Sequence, residues 1–239
     1  MNHSLIVAGK EFRTYFKTPV ASIFLFAFLV LSGLLFFFVQ DYFMRGEANM
    51  RSFFAFLPWV YLLFGPAIAM KMWAEERKIG TIETLLTMPM KEGNIVLGKF
   101  LASFGLLALA LLLTFPIPLA VSFTAAGSID FGPILGGYLG ALLMGATYIA
   151  ISLFASALTE SQIVAFILGV GICLFFVIIG VEQVAAIFPQ GAGGAIREMS
   201  LIGHFENIQR GVIDTRDVLY YASMLAVFLL LNTVAVKRR

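Results

Sequence analysis

Apolar residues run along this chain in long unbroken blocks separated by short charged joints. Blocks of about twenty residues, the length that crosses a hydrocarbon core, fall near 20–39, 54–70, 100–120, 134–158, 163–181 and 218–236. Lipid offers backbone amides no partner, so such blocks must be helices or strands of a closed barrel. Barrel strands alternate apolar and polar positions, and these blocks do not. The pattern predicts an all-α integral membrane protein with six transmembrane helices. Its short joints leave no room for a separate soluble domain, so residues 1–239 read as a single transmembrane domain.

Composition agrees: 60% of residues are hydrophobic, 13% are charged and the mean hydropathy is +0.95, far from the balance of a soluble domain. Basic residues are held on the cytoplasmic side during insertion, and an even number of spans puts both termini on one side. Termini inside (N-in/C-in) places Lys10, Arg13, Lys17, Lys71, Arg77, Lys78, Lys91, Lys99, Lys237, Arg238 and Arg239 in the cytoplasm, leaving only Arg45, Arg51, Arg197, Arg210 and Arg216 outside. Topology thus accounts for the basic residues, and a net charge of +2 argues for no nucleic-acid partner.

The leader, 1–19, mixes Leu5, Ile6, Phe12, Tyr15 and Phe16 with Lys10, Arg13 and Lys17, which suits an amphipathic helix along the inner interface. Pro19 turns the chain into the membrane. No small-x-small cleavage site follows the first apolar run, so it reads as a retained span. The single Cys173 excludes an intrachain disulfide. As drawn, the spans contain no Asp, Glu, Lys, Arg or His, which argues against an ion-coupled carrier, and the two halves show no repeat. Gly136, Gly140, Ala141 and Gly145 recur about once per helical turn and predict a close-packing face, toward a neighbouring span or a second subunit. Pro58, Pro66, Pro116 and Pro118 predict kinks.

Two chemical readings fail. Residues 93–100 read G-x-x-x-x-G-K-F, but the hydroxyl that would hold magnesium is missing, no strand precedes the motif and it runs into a membrane helix. Lys99 is therefore read as a cytoplasmic anchor at the start of the third span. HExxH and GxSxG are absent, and His204 has only His3, across the membrane, as a possible companion, too few for a metal. The chain is not expected to be an enzyme.

The joint 71–99, KMWAEERKIGTIETLLTMPMKEGNIVLGK, holds the densest polar information. The second span is expected to run into the cytosol through Trp73 to Lys78. Gly80 then breaks it, Thr81 caps a new short helix with Glu83 in its first turn, and Pro89 ends that helix. Ile82, Leu85, Leu86 and Met88 fall on one side, an apolar stripe that asks for a groove in its own bundle or in a soluble partner.

This chain resembles a permease of the ABC-2 type, and in particular its gliding-motility-associated branch, over almost its whole length. The resemblance rests on the six spans with both ends inside, the amphipathic leader, the joint EERKIGTIETLLTMP and the segment HFENIQRGVIDTRDVLYY. It implies the ABC-2, type V exporter-like fold in the bacterial cytoplasmic (inner) membrane. It further implies that the short helix of the joint is a coupling helix seated in an ATP-hydrolysing subunit, through Glu75, Glu76, Arg77, Gly80, Thr81 and Glu83 with apolar contact from Leu85 and Leu86. The turn 159–162 is a second, smaller candidate contact.

The joint 182–217 is long for a connector, with a hinge-like start at Gly191, Gly193 and Gly194. Similar permeases fold it as short re-entrant helices, here expected over 200–210. The implied outer gate comprises His204, Phe205, Glu206, Gly211 and Asp214.

The expectation is thus the permease subunit of an ATP-binding-cassette transporter, an exporter by the habit of the family that the chain resembles. Cofactors are none in this chain, with ATP and magnesium in the partner ATPase. A second copy or a related permease completes the core. The competing class is a membrane anchor for a surface or motility machine. Tyr61, Thr147, Tyr148 and Asn232 suit lipids, glycans, peptides or packing alone, so the sequence names no substrate.

Overall fold

The computed structural model describes residues 3–39, 50–87, 89–124, 131–181, 184, 198–211 and 214–237, and every regular element among them is helical. The chain forms α1 (His3–Lys17), α2 (Val20–Leu34) with a π-helical turn over Leu35–Val39, α3 (Arg51–Ala69), α4 (Lys71–Lys78) and α5 (Thr81–Leu86). There follow α6 (Glu92–Leu112), α7 (Pro116–Thr124), α8 (Phe131–Ala157), α9 (Gln162–Ile178), α10 (Leu201–Gln209) and α11 (Thr215–Lys237).

Among the described residues, five stretches are long and apolar enough to cross a membrane: Val20–Phe38, Arg51–Lys78, Glu92–Val121, Phe131–Ala157 and Thr215–Lys237. The expected fifth span is α9, at 17 residues the lower end of spanning length. Large apolar side chains such as Ile23, Phe26, Phe38, Leu135, Ile167, Phe175 and Leu230 face outward, as they do where the surroundings are lipid rather than water.

The axis of the bundle is α8, whose second half is almost wholly buried and which packs against α3, α6, α9, α10 and α11. Its small residues set those distances. A Cβ on Gly136 would come within 2.5 Å of the Ile208 carbonyl, one on Gly140 would meet Phe205 and Ile208, and Gly145 faces Tyr61 and Leu107. The packing face read from these residues is filled from within the chain.

The expected kinks are partly realised. Pro58 and Pro66 lie inside α3 without ending it. Instead, Ser156 of α8 enters the helical ladder at the α3–α4 junction: its Oγ accepts from the amides of Trp73 (3.1 Å) and Ala74 (3.2 Å) and donates to the Met70 carbonyl (2.8 Å). An inserted side chain is a sufficient cause of a local break. Beyond it, α4 continues the rod to Lys78. The third apolar block is broken at Leu113–Phe115, and Pro116 opens α7, where a proline lacks only an amide that would be unpaired anyway.

The leader is a helix, but it docks on the bundle. Ser4 and Val7 crowd Gly98, Phe12 touches Gly105, and the Tyr15 hydroxyl donates to the Ile68 carbonyl (2.8 Å) and lies 3.2 Å from Ser103 Oγ. Burial pushes the Tyr15 phenol above its usual range, so it stays protonated as a donor. Leu5, Ile6, Lys10, Arg13, Phe16 and Lys17 remain exposed on the far side.

Candidate functional site

Polar groups collect at the two ends of the bundle. Gly136, level with α10, and Ser156, level with α4, are twenty residues apart on α8, or about 30 Å at ~1.5 Å per residue. That is about the thickness of a hydrocarbon core, so the two clusters sit at interfacial depth on opposite sides.

At one end, Gly80 has φ 73° and no side-chain cap, and with it the rod turns into α5. A left-handed residue after a helix is a glycine position. Thr81 does not cap α5 as the sequence suggested: Gly80 holds the N-cap position and the Thr81 hydroxyl donates back to the Glu76 carbonyl at 3.4 Å. Helix α5 ends at Leu86, three residues before Pro89. Ile82 and Leu85 pack half-buried against the chain's own core. The apolar stripe therefore finds its groove largely at home, and the exposed face is polar, formed by Gly80, Thr81 and Glu83 with exposed Ile79. The side chain of Leu86, and Met88 altogether, lie outside the described residues.

Of the residues assigned to coupling, Glu75 is exposed, whereas Glu76 and Arg77 turn inward. Arg77 donates to the Ala235 carbonyl near the end of α11 (3.3 Å). Glu76 Oε1 is 2.6 Å from the Nζ of Lys99, which is only 1% exposed. Lys99 is thus no surface anchor, because α6 begins a full two turns earlier, at Glu92, and carries it into the packed interior. The near-match to a phosphate loop is plain helix, with Gly98 pressed against α1. The turn 159–162 lies beside Lys78, and a cavity of about 480 Å³ is lined here by Lys78, Glu160, Ser161, Gln162 and Ile163.

At the other end, Ser200 caps α10, its Oγ accepting from the amides of Ile202 and Gly203. This short helix is the one read over 200–210. Gly211, φ 85°, closes it and lies against Gly132 and Pro133. Asp214 opens α11, accepting from the Arg216 amide at 3.0 Å, as N-cap residues do. Phe205 is buried against α8, and Glu206 is half-buried.

His204 meets Asp217, a residue the sequence reading did not single out. Nδ1 is 2.6 Å from Asp217 Oδ1, Nε2 is 2.9 Å from the Glu198 carbonyl, and the ring stacks on Tyr220 at 4.0 Å. Both ring nitrogens face acceptors, an arrangement that the imidazolium satisfies in full. Asn207 also donates to Asp217 Oδ1 at 3.4 Å, and Tyr221 donates to the Leu201 carbonyl. Together these bonds tie α10 to the start of α11. His204, Glu206 and Asp214 line one polar cavity with Asp217, Asn207, Arg210 and Arg216; Phe205 and Gly211 do not join it. The glycines 191, 193 and 194 lie outside the described residues.

No group of three or more His, Cys, Asp or Glu able to hold a metal occurs among the described residues. A protein-family model described as ABC-2 family transporter protein matches residues 5–236. No curated protein matches the sequence at a significant level.

Proposed function

The chain belongs to the ABC-2 family of transporter proteins, and on that premise we propose that it is the membrane half of an ATP-driven exporter, worked by a separate ATPase that docks around α5. Membership makes it a multi-pass membrane protein and a permease component of an ABC transporter. The exporter direction, the docking and the six-span arrangement with α9 as fifth span and both termini inside are our reading, as are placement in the bacterial inner membrane and in the gliding-motility branch.

The observation that carries the reading is the rod Arg51–Lys78, which spans the bundle and ends on a small helix with a free polar face. A partner pushing on Gly80, Thr81, Glu83 and Glu75 displaces the end of that rod, while Ile82 and Leu85 keep α5 fixed to the bundle. The turn 159–162, across the cavity from Lys78, adds a second foot. ATP and magnesium belong to the partner in this scheme. A second copy or a related permease supplies the other half of the pathway, and the His204–Asp217 cluster closes the far end. Replacing exposed Glu83 with Lys reverses the charge on the docking face without touching the core. In proteoliposomes holding chain and partner ATPase, ATP turnover is expected to fall at least fivefold while membrane insertion is unchanged. Unaltered turnover would remove α5 from the contact.

A further inference from the structure

We propose that Lys99 locks α1 and α4 into one moving unit, so that displacement of the α4–α5 segment is carried into the N-terminal helix; this rests on the reading that a partner acts on α5. The ammonium lies among three helices. It belongs to α6, donates to Glu76 Oε1 (2.6 Å) and the Met72 carbonyl (2.8 Å) of α4, and faces Glu11 Oε1 of α1 at 3.7 Å. The Trp73 ring, also on α4, covers it at 4.8 Å.

An ammonium has three donors and no acceptor, and here its surroundings supply two carboxylates and a carbonyl. At 1% exposure water cannot replace them. Separating α4 or α1 from Lys99 would leave a buried charge unpaired, a far costlier event than losing a surface ion pair. About one turn further along α6, Tyr15 repeats the tie: its hydroxyl bonds Ile68 of α3 and lies beside Ser103 of α6, while Lys71 of α4 sits over its ring at 4.5 Å. Beside the first tie, Gly98 lets α1 approach so closely that a Cβ there would come within 2.8 Å of the Ser4 carbonyl. Helix α1 is therefore gripped at two levels by the rod that a partner would push, and Lys99 is the one charged group on α6 within reach of both α1 and α4 among these contacts.

The test uses the full chain in lipid nanodiscs, with spin labels at Arg13 on α1 and Ile79 after α4. Both sites are exposed, and the native Cys173 is buried. A narrow Arg13–Ile79 distance distribution is expected. Lys99→Met, which keeps the stem and removes the charge, should at least double its width, and Lys99→Arg should restore it. With the partner ATPase bound and trapped by ADP and vanadate, labels at Arg13 and Ile79 should both shift relative to one at Ile167 on α9; in Lys99→Met only Ile79 should shift. An unchanged width and an unchanged shift of α1 in Lys99→Met would overturn the proposal. If that variant does not accumulate, Glu11→Gln, which uncharges the α1 partner and leaves Lys99 paired with Glu76, should broaden the distribution; an unchanged width there would count against the tie. Absence of any co-purifying ATPase sinks the docking reading, while the width measurement still decides whether Lys99 ties the helices.

Discussion

A serine at the right height can shape a membrane helix more than a proline inside it. Ser156 serves two amides and a carbonyl across the α3–α4 junction. Ser156→Ala would leave the Trp73 and Ala74 amides buried without that acceptor, at about 1–3 kcal/mol. The variant should melt several degrees lower in detergent, and an unchanged midpoint would show that the ladder closes by itself. None of this was legible, because a serine in an apolar run looks like filler until its partners, more than eighty positions away, are known. Lys99 was misread for a related reason: its sequence neighbours suggest a boundary, and only the early start of α6 at Glu92 and the docking of α1 bury it. His204 was noticed, but its partner Asp217 was taken as loop, since the start of α11 at Thr215 is what brings the carboxylate under the ring.

At the level of elements, every apolar block predicted a helix and every described block is helical, the third in two pieces on either side of Leu113–Phe115, because continuous hydrophobicity of bilayer length has few other solutions. The continuation of α3 through α4 to Lys78 was legible from the polar residues that follow the apolar run, whereas which way a short amphipathic helix faces was not. The stripe of α5 was visible, whereas its partner was not. Ile82 lies half-buried on the chain's own core, so Ile82→Asp should release α5 and raise the rate of tryptic cleavage after exposed Lys78 severalfold. Cleavage at the parental rate would mean that Ile82 does not hold the helix. The leader shows the same division: its amphipathicity was plain, yet its inner face proved to be a docking surface for α6, set by Gly98 and Gly105.

For the whole molecule, the bundle is a framework of packed helices with a polar cluster at each end, about 30 Å apart by the rise of α8, joined by the rod Arg51–Lys78 and by α11. Tyr221 at the start of α11 bonds α10, and Ala235 near its other end accepts from Arg77, so the two clusters share continuous helices. Such connection is what the proposed drive through α5 requires. The decisive experiment is purification of the tagged chain from its native membrane under mild detergent, intact and with 81–86 scrambled, followed by protein identification and an ATPase assay. An ATP-binding-cassette ATPase in stoichiometric amount with the intact chain, and lost with the scrambled one while membrane insertion persists, is the predicted result. An intact chain that brings down no ATPase, or one retained equally by both forms, would contradict a permease driven through α5.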